Sequence, residues 1–283
     1  KDKSKESLIL AAESSFHGRT IGALSATGQP KYQQGFEPLL SGFRFFKYNN
    51  IDSIKKIFSE SGQNNQRISG IIIEPIQGEG GVIPGDKNFF RELRELCDKN
   101  DTLLILDEVQ SGVGRTGKMW GYENLDIEPD GFTLAKGLGG GHPIGALLVN
   151  KKANIFNPGD HASTFGGNPF ACRAAITVIE EIKRRDLLQN VISKGLQIEE
   201  GLFQMTRDFP HIIKGIRGMG LLQGIVLKEN SIDLKSVTSK AFEKGLLVVP
   251  AGSNVIRIVP PLTISRNETR QLLRKLYLIF KDF

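Results

Sequence analysis

The sequence predicts an α/β fold with a mostly parallel central sheet, flanking helices and a smaller C-terminal α/β domain. Short apolar runs alternate with segments of helical period over the first two-thirds of the chain. Apolar runs without alternation are typical of strands covered on both faces, as in a parallel sheet between helix layers. The predicted strands occupy residues 8–12, 70–74, 103–107, 132–135 and 144–149.

A long helical segment marks the change from the large to the small domain. Asn168 and Pro169 predict its start, because Asn caps free backbone amides and Pro is tolerated at the first helical position. The helical pattern is interrupted near Arg185, so we predict a large domain over residues 1–185 and a small domain over residues 186–283. In the small domain the predicted strands are 221–227, 246–249 and 255–259, and the predicted helices are 234–244 and 268–280.

Composition argues against several classes of protein. The formal net charge is +6, but Lys and Arg are scattered rather than arranged in a basic stripe, which argues against nucleic-acid binding. No apolar run approaches the roughly 18 residues that a membrane span needs. The four histidines lack zinc-type spacing, so we expect no metal site.

The cysteines bear on the compartment. Cys97 and Cys172 form neither a Cys-x-x-Cys pair nor a disulfide framework, which is typical of a reducing cytosol. We therefore expect a cytoplasmic protein. Because the sequence begins with Lys1 rather than Met, an organellar targeting segment stays an open alternative.

An acidic residue ends the strand predicted at 103–107. Ligands of open α/β sheets bind at the carboxyl ends of strands, and Asp107 and Val109 project from the same face because side chains alternate. A carboxylate beside a branched apolar side chain suits a cationic aromatic heterocycle, since the acid can meet the ring nitrogen while the aliphatic group packs on the ring. A cap on a following helix is the alternative role for Asp107.

A lysine follows the next strand. Lys136 lies 136 − 107 = 29 residues after Asp107, about one strand–connection–strand unit, and it precedes a glycine-rich run. A partly desolvated lysine loses its proton readily and can bond covalently to an aldehyde. A phosphate-binding loop would place the glycines before the lysine, so that interpretation fits poorly. An ordinary surface lysine is the other alternative.

Two further segments carry groups that suit an aromatic, anionic ligand. In FHGRT, Phe16 can stack on a flat ring, and Arg19 has the planar fork that binds carboxylates. In STFGGNP, Ser163 and Thr164 offer hydroxyl groups just before a helix start. A core aromatic residue and simple helix capping are the alternative interpretations.

The segments EPIQGEGG and VIRIVPP place charges in apolar or glycine-rich surroundings. Glu74 closes an apolar strand and Glu79 lies among glycines. Paired carboxylates also occur in glycosidases, so a hydrolase is one alternative function. Arg257 lies inside an apolar strand and therefore requires a carboxylate, either from the protein or from a substrate.

Together these segments resemble the class III (ω-amino acid) aminotransferases, which are pyridoxal 5′-phosphate (PLP)-dependent transferases of fold type I. The resemblance extends from about Leu8 to the C-terminus. It rests on the ordered motifs FHGRT, GQPKY, EPIQGEGG, LRELC, LDEVQ, GVGRTG, AKGLGGG, PIGA, STFGGNP and IRGMGLL. Several motifs in a family-like order are far more specific than any one of them.

The resemblance implies PLP as the cofactor and assigns its contacts. Lys136 matches the catalytic lysine that holds the cofactor covalently and shuttles the proton, and Asp107 matches the acid paired with the pyridine nitrogen. Val109 and Phe16 match the residues on the two faces of the ring. The other implied cofactor-binding residues are Glu108, Gln110 (near the ring hydroxyl) and Thr164. Thr164 resembles a residue that reaches the phosphate in the neighbouring subunit, which implies a homodimer with shared active sites.

The same resemblance implies the substrates. Arg19 and Ser163 match substrate-binding positions, and Glu79 and Arg257 resemble a pair that opens when glutamate binds. His17 in FHGRT and the GQPKY segment favour N-acetylornithine over ornithine as amino donor, because the corresponding segment of relatives that act on ornithine usually carries Trp. The implied reaction converts N-acetylornithine and 2-oxoglutarate to N-acetylglutamate semialdehyde and glutamate, a step of arginine biosynthesis. Ornithine, succinylornithine and 4-aminobutyrate stay open as alternative donors.

One part of the family pattern is not found in this sequence. Members of the family have an N-terminal segment and a Ser-Gly-Thr/Ala-Glu-Ala phosphate loop before the segment that FHGRT matches. We therefore expect that the chain as given forms no competent cofactor site unless such a segment is supplied. A non-catalytic fragment of an aminotransferase is accordingly the second hypothesis about function.

Overall fold

A computed structural model describes residues 6–283 of the chain. Its strands are β1 (Glu6–Ala12), β2 (Phe43–Phe46), β3 (Gln66–Ile73), β4 (Ile76–Gln77), β5 (Ile83–Pro84), β6 (Leu103–Asp107), β7 (Gly131–Leu134), β8 (Ala146–Val149), β9 (Ile213–Met219), β10 (Leu222–Leu227), β11 (Val249–Ala251) and β12 (Val255–Ile258). Its helices are α1 (Ile21–Ser25), α2 (Pro30–Gln33), α3 (Ile51–Gln63), α4 (Lys87–Lys99), α5 (Pro169–Arg184), α6 (Leu187–Asp208), α7 (Leu234–Glu243) and α8 (Arg266–Lys281).

The chain forms two compact units. The first contains the chain up to Pro75 together with Gly85–Gln110 and Tyr122–Val178. The second contains Ile76–Pro84, Ser111–Gly121 and Ile179–Phe283. Two early segments of the chain therefore belong to the unit that is otherwise C-terminal. The division into functional domains at residues 1–185 and 186–283 remains a prediction.

The described part of the first unit is built around a six-stranded sheet with the order β2-β1-β3-β6-β7-β8. The strands β2, β1, β3, β6 and β7 run parallel, and β8 pairs antiparallel with β7 at one edge. The predicted, mostly parallel sheet is therefore confirmed. The strand β2 was not predicted, because its four residues, FRFF, are too few to show a period.

Parallel pairing brings the carboxyl ends of β6 and β7 together. Asp107, the last residue of β6, is in register with Thr133 of β7. Lys136 follows Thr133 by three residues, at the start of a single 3₁₀ turn over Lys136–Gly139. The two residues that sequence reasoning singled out thus follow neighbouring strands at the same edge of the sheet.

A buried carboxylate just before β7 fixes this register. Asp130 accepts hydrogen bonds from the backbone N–H of Leu104 on β6 at 2.9 Å, from Asn150 Nδ2 at 3.0 Å and from Arg94 Nη1 at 2.9 Å. Burial acts to raise the pKa of Asp130, but the donors from Leu104, Asn150 and Arg94 outweigh it and hold the pKa below its ordinary value. One side chain therefore ties α4, β6 and the end of β8 to the beginning of β7.

The described sheet of the second unit has four antiparallel strands in the order β11-β12-β10-β9. The helices α6, α7 and α8 bury their apolar faces with it in one core. Leu202, Val237 and Leu276 on these helices are fully buried in the same cluster as Ile225 and Ile256 on the strands. The short hairpin β4–β5 belongs to this unit as well. A smaller α/β unit was predicted, but the hairpin was not.

One predicted strand of this unit is displaced. The sequence predicted residues 246–249, whereas β11 covers Val249–Ala251. The backbone N–H of Leu246 donates to the carbonyl oxygen of Ala241 at 2.8 Å and closes the end of α7, so it does not join the sheet. Pro250 is tolerated in β11 because this strand lies at the sheet edge. The strand β9 was missed because glycines and charged residues in IKGIRGM obscure its apolar pattern.

The predicted start and interruption of the long helical segment are confirmed. Asn168 Oδ1 accepts a hydrogen bond from the backbone N–H of Ala171 at 2.9 Å, and α5 begins at Pro169. The helices α5 and α6 are separated by a turn in which Asp186 adopts a φ of +48°. This left-handed residue ends one helix and redirects the chain into the next.

Candidate active site

Lys136 is presented by a strained turn at the end of β7. Its φ is +43°, a left-handed conformation that costs a non-glycine residue roughly 1–2 kcal/mol. The residue is exposed, and it lines a cavity of about 880 Å³ together with Ser163 and Asn168. Strain of this kind persists only where the surrounding structure imposes it, and it is often found at functional sites. The predicted position of Lys136 at the end of a strand is confirmed, but the lysine is exposed rather than partly desolvated, and its role in a site stays a prediction.

Asp107 is buried at the end of β6, and its carboxylate makes three polar contacts. Its Oδ1 accepts hydrogen bonds from the backbone N–H of Val109 at 3.1 Å and from Thr133 Oγ1 at 3.4 Å. Its Oδ2 lies 2.7 Å from His17 Nδ1. Residues 108–120 form turns and bends rather than a helix, so the alternative role as a helix cap does not fit. A carboxylate that has lost its water must have such donors.

His17 is a site residue that sequence reasoning did not assign to the cofactor site. Its side chain is 1% exposed, and Nδ1 makes the short contact to Asp107 Oδ2. Its Nε2 is buried and makes no hydrogen bond within residues 6–283. The signal in the sequence was only its place beside Phe16 in FHGRT. Its contact with a residue 90 positions away could not be read from the sequence.

Arg19 is supported by aromatic rings. Its guanidinium carbon lies 4.5 Å from the ring centre of Tyr32 and 5.4 Å from that of Phe16. The two rings meet edge to face at 5.4 Å. The backbone N–H of Phe16 donates to Glu74 Oε2 at 3.4 Å. The exposed Arg19 guanidinium group therefore packs against two aromatic rings, and Tyr32 from GQPKY is a supporting residue that the sequence did not reveal.

The turn after β6 contains the remaining residues assigned to the cofactor. Val109 and Gln110 are half-buried there. Glu108 is 1% exposed, and its Oε1 accepts a hydrogen bond from the backbone N–H of Tyr122 at 2.7 Å. This contact fastens the turn to the segment that precedes β7. The assignment of these side chains to a cofactor remains a prediction.

The loop before α5 is exposed. Ser163 and Thr164 both lie on the surface, and the carbonyl oxygen of Ser163 accepts a hydrogen bond from Gly166 N at 3.2 Å. Of the two hydroxyl residues, Ser163 lines the same cavity as Lys136. The structure thus places Ser163 on the same cavity as Lys136, and it leaves Thr164 exposed.

The second unit contains a buried ion pair. Glu79 Oε1 accepts a hydrogen bond from Arg257 Nη1 at 2.7 Å, and the Arg257 side chain is only 9% exposed whereas that of Glu79 is 23% exposed. All four residues of β12 are buried. The structure therefore joins the two residues that the resemblance pairs. Burial makes the carboxylate partner obligatory for Arg257.

Two classes of feature are absent from residues 6–283. No helix there combines the length and the apolar character needed to cross a membrane. No group of three or more His, Cys, Asp or Glu side chains is arranged to hold a metal ion. The cytoplasmic location and the lack of a nucleic-acid partner remain predictions.

Known proteins with a similar sequence are aminotransferases. The family model "Aminotransferase class-III" matches residues 1–280. Acetylornithine aminotransferase from Prochlorococcus marinus subsp. pastoris is 72% identical over 280 residues, which cover 99% of this chain and 68% of that protein. Acetylornithine aminotransferase from Parasynechococcus marenigrum is 56% identical, with 95% of this chain and 64% of that protein covered.

Solved structures agree with the sequence matches. Ornithine aminotransferase from Toxoplasma gondii ME49 superposes with a TM-score of 0.91 at 31% identity, covering 100% of this chain and 66% of that one. N-acetylornithine aminotransferase from Stenotrophomonas maltophilia K279a gives a TM-score of 0.81 at 31% identity, covering 99% and 67%. The chain thus spans about two thirds of the length of its relatives. It belongs to the class-III aminotransferase family.

Proposed function

We propose that the protein transfers the terminal amino group of N-acetylornithine to 2-oxoglutarate with PLP as cofactor. The products are N-acetylglutamate semialdehyde and glutamate, in arginine biosynthesis. The observation that carries the proposal is the pair of complementary groups at neighbouring strand ends, the Lys136 amine beside a cavity and the buried Asp107 carboxylate. The names of the relatives at 72% and 56% identity support the donor.

The described residues fit PLP, on which class-III aminotransferases depend. An aldehyde requires an amine, which Lys136 supplies, and a protonated ring nitrogen requires a carboxylate. A carboxylate has about four lone-pair positions. Asp107 uses three of them for Val109, Thr133 and His17, so it retains capacity for one more donor. When bound, PLP supplies an electron-withdrawing ring that stabilises negative charge on the reacting carbon.

Lys136 has two tasks in this proposal. Its Nζ would hold the aldehyde of the cofactor, and the same amine, once released, would accept the proton from the substrate carbon that bears the amino group. The left-handed backbone at Lys136 directs the side chain from the edge of the sheet toward the cavity. Ser163, on the wall of that cavity, binds substrate by its hydroxyl group.

Asp107 keeps a proton on the ring nitrogen, and His17 keeps Asp107 in place. A donor at Nδ1 of His17 fixes Oδ2 of the carboxylate, while Val109 N and Thr133 Oγ1 fix Oδ1. Both oxygens are therefore oriented before any ligand arrives, which lowers the reorganisation needed for binding. Val109 and Phe16 would cover the two faces of the cofactor ring, and Gln110 would lie near its hydroxyl group.

Two arginines bind different carboxylates of the substrates. Arg19, oriented by the rings of Tyr32 and Phe16, binds the distal carboxylate of either substrate. Arg257 binds the carboxylate next to the amine of glutamate. A terminal amine brings no such carboxylate, so Glu79 then neutralises Arg257, as it does in the ion pair of the second unit.

A homodimer is part of the proposal. Large apolar side chains are exposed around the loop that carries Thr164: Phe156 is 54% exposed, Phe165 82% and Phe170 71%. Exposed apolar patches are typical of interaction surfaces, and a second copy of the chain is the partner that the family implies. Thr164 then reaches the cofactor phosphate of the partner subunit.

The hydrolase alternative has no support from the contacts of its two carboxylates. Glu74 is 4% exposed and accepts a hydrogen bond from the backbone of Phe16. Glu79 is paired with Arg257. Both carboxylates therefore have partners within their own units, and a hydrolase would leave Lys136 without a role.

Replacing Lys136 by Ala should lower transamination by about 10³–10⁴-fold, because the base that moves the proton is lost. The measurement is turnover of PLP-containing protein with N-acetylornithine, and in parallel with ornithine, succinylornithine and 4-aminobutyrate to rank the donors. Lys99→Ala, at the end of α4, is the matched control. Near-normal turnover of Lys136→Ala would refute the assignment, and a faster reaction with another donor would correct the substrate.

The roles of Glu79 and Arg257 predict opposite selectivity effects. Glu79→Ala should favour glutamate over terminal amines, because Arg257 is then always open to a substrate carboxylate. Arg257→Ala should mainly slow the glutamate half-reaction, and Arg19→Ala should slow both. Single-turnover kinetics separate the two half-reactions. Equal slowing of both halves by Glu79→Ala would show that Glu79 serves only the fold.

If the protein is a homodimer, a charge introduced into the exposed apolar surface around Thr164 should lower the mass of the particle in solution. Phe156→Asp should convert the protein to a monomer in sedimentation experiments and reduce activity with it, because a desolvated carboxylate opposes burial of the patch. Phe203→Asp, at a residue that is 50% exposed on α6, is the control. A fully active wild-type monomer would contradict the shared site.

A further inference from the structure

Two arginines flank one glycine in the sheet of the second unit. Gly224 on β10 is in register with Arg217 on β9 and with Arg257 on β12. Residues directly opposite one another on antiparallel strands project from the same face of the sheet. Both arginine side chains therefore project from the same face of the sheet, on either side of a residue that has no side chain.

The turn between β4 and β5, residues 78–82, contacts both arginines. Glu79 Oε1 accepts a hydrogen bond from Arg257 Nη1 at 2.7 Å. The carbonyl oxygen of Gly81 accepts one from Arg217 Nε, also at 2.7 Å. Arg257 thus contacts a side chain of the turn, whereas Arg217 contacts its main chain.

Gly81 allows the close approach of Arg217. Its φ is +117°, and a Cβ atom at this position would lie 2.6 Å from Arg217 Nη2. Any larger residue would therefore displace the guanidinium group from the turn. Arg217 is half-buried, and a charge in such a position needs an acceptor, which the carbonyl oxygen of Gly81 provides.

Other contacts fix the main chain of the turn at its two ends. The backbone N–H of Gly252 donates to the carbonyl oxygen of Glu79 at 2.8 Å. Val82 is fully buried in an apolar cluster with Leu222 and Val255, and it has a φ of +56°, which a β-branched residue adopts only under constraint. The main chain of the turn is thus held at residues 79, 81 and 82, while the Glu79 side chain is partly exposed.

We propose that Arg217 is a positioning residue for the exchange of carboxylates at Arg257. By holding Gly81, it keeps the Cα of Glu79 fixed, so that Glu79 leaves and returns to Arg257 by side-chain rotation alone. This inference rests on the proposed function of Glu79 and Arg257. Arg217 itself does not touch the substrate.

Loss of Arg217 should affect the substrates unequally. A loosened turn lowers the fraction of time that Glu79 spends at Arg257, and only terminal-amine substrates need Glu79 there. We expect Arg217→Gln to lower kcat/KM for N-acetylornithine roughly tenfold, which corresponds to the loss of one charged hydrogen bond. The value for glutamate should not fall. Arg217→Lys, which keeps a cationic donor, should recover part of the loss.

The experiment measures single-turnover rates of both half-reactions for the PLP-containing wild type, Arg217→Gln, Arg217→Lys and the control Lys214→Gln. Lys214 is an exposed cation on the same strand. The same rates are measured for these Arg217 and Lys214 variants in protein that also carries Glu79→Gln. A positioning role predicts that Arg217→Gln has no further effect on selectivity once Glu79 is neutral. An equal selectivity effect in both backgrounds, or equal slowing of both half-reactions, would overturn the inference.

Amide hydrogen exchange gives a readout that is independent of activity. Arg217→Gln should speed exchange at residues 78–82 and leave the core strand β10 unchanged, whereas Lys214→Gln should change neither. Unchanged exchange at residues 78–82 would overturn the inference even if the enzyme behaves as proposed. A wild type that transaminates neither substrate would instead refute the proposed function, while the exchange data would still report whether Arg217 holds the turn.

Discussion

At the end of β6 the carboxylate of Asp107 is almost completely removed from water, and it accepts hydrogen bonds from Val109, Thr133 and His17. Burial without these donors would cost several kcal/mol or force the group to take up a proton. The donors come from β7, from the turn after β6 and from FHGRT. The carboxylate therefore obtains its full set of hydrogen bonds only when these segments are correctly packed. The parallel pairing of β6 with β7 also sets the position of Lys136. The register between β6 and β7 therefore determines the positions of both the Asp107 carboxylate and the Lys136 amine.

The second unit meets a related constraint at Arg257. A cation in a fully buried strand is stable only with a carboxylate beside it, and Glu79 supplies one. A substrate carboxylate is chemically equivalent to that of Glu79, and the proposed exchange at Arg257 rests on this equivalence. Gly224, in register with both Arg217 and Arg257, lets Val82 and Val255 pack against the sheet, because a Cβ at this position would lie 2.9 Å from Val255 Cγ1 and 3.0 Å from Val82 Cβ.

Structural features that depend on residues close together in the sequence could be predicted. Features that depend on contacts between distant residues could not. The central strands, the start of α5 and the placement of Asp107 and Lys136 follow from apolar runs, capping residues and glycines that are close together in the sequence. The contact between His17 and Asp107 joins residues 90 positions apart, and that between Glu79 and Arg257 joins residues 178 positions apart. The first was missed, and the second was anticipated only through the family resemblance. The position of β11 was misjudged because an edge strand tolerates a proline that local pattern treats as a break.

We propose that Asp107 is the acid partner of the cofactor ring and not only a buried anchor of the turn. The most direct test is the single-turnover rate of PLP-containing Asp107→Asn with glutamate, because Asn keeps the size and one acceptor of the side chain but removes its charge. At about 4 Å and an effective dielectric near 20, the lost interaction is about 4 kcal/mol, which corresponds to a rate lower by about a thousandfold. A folded, PLP-containing variant that reacts at that lower rate supports the role of Asp107 as the acid partner of the ring. A folded variant that reacts at the wild-type rate contradicts it.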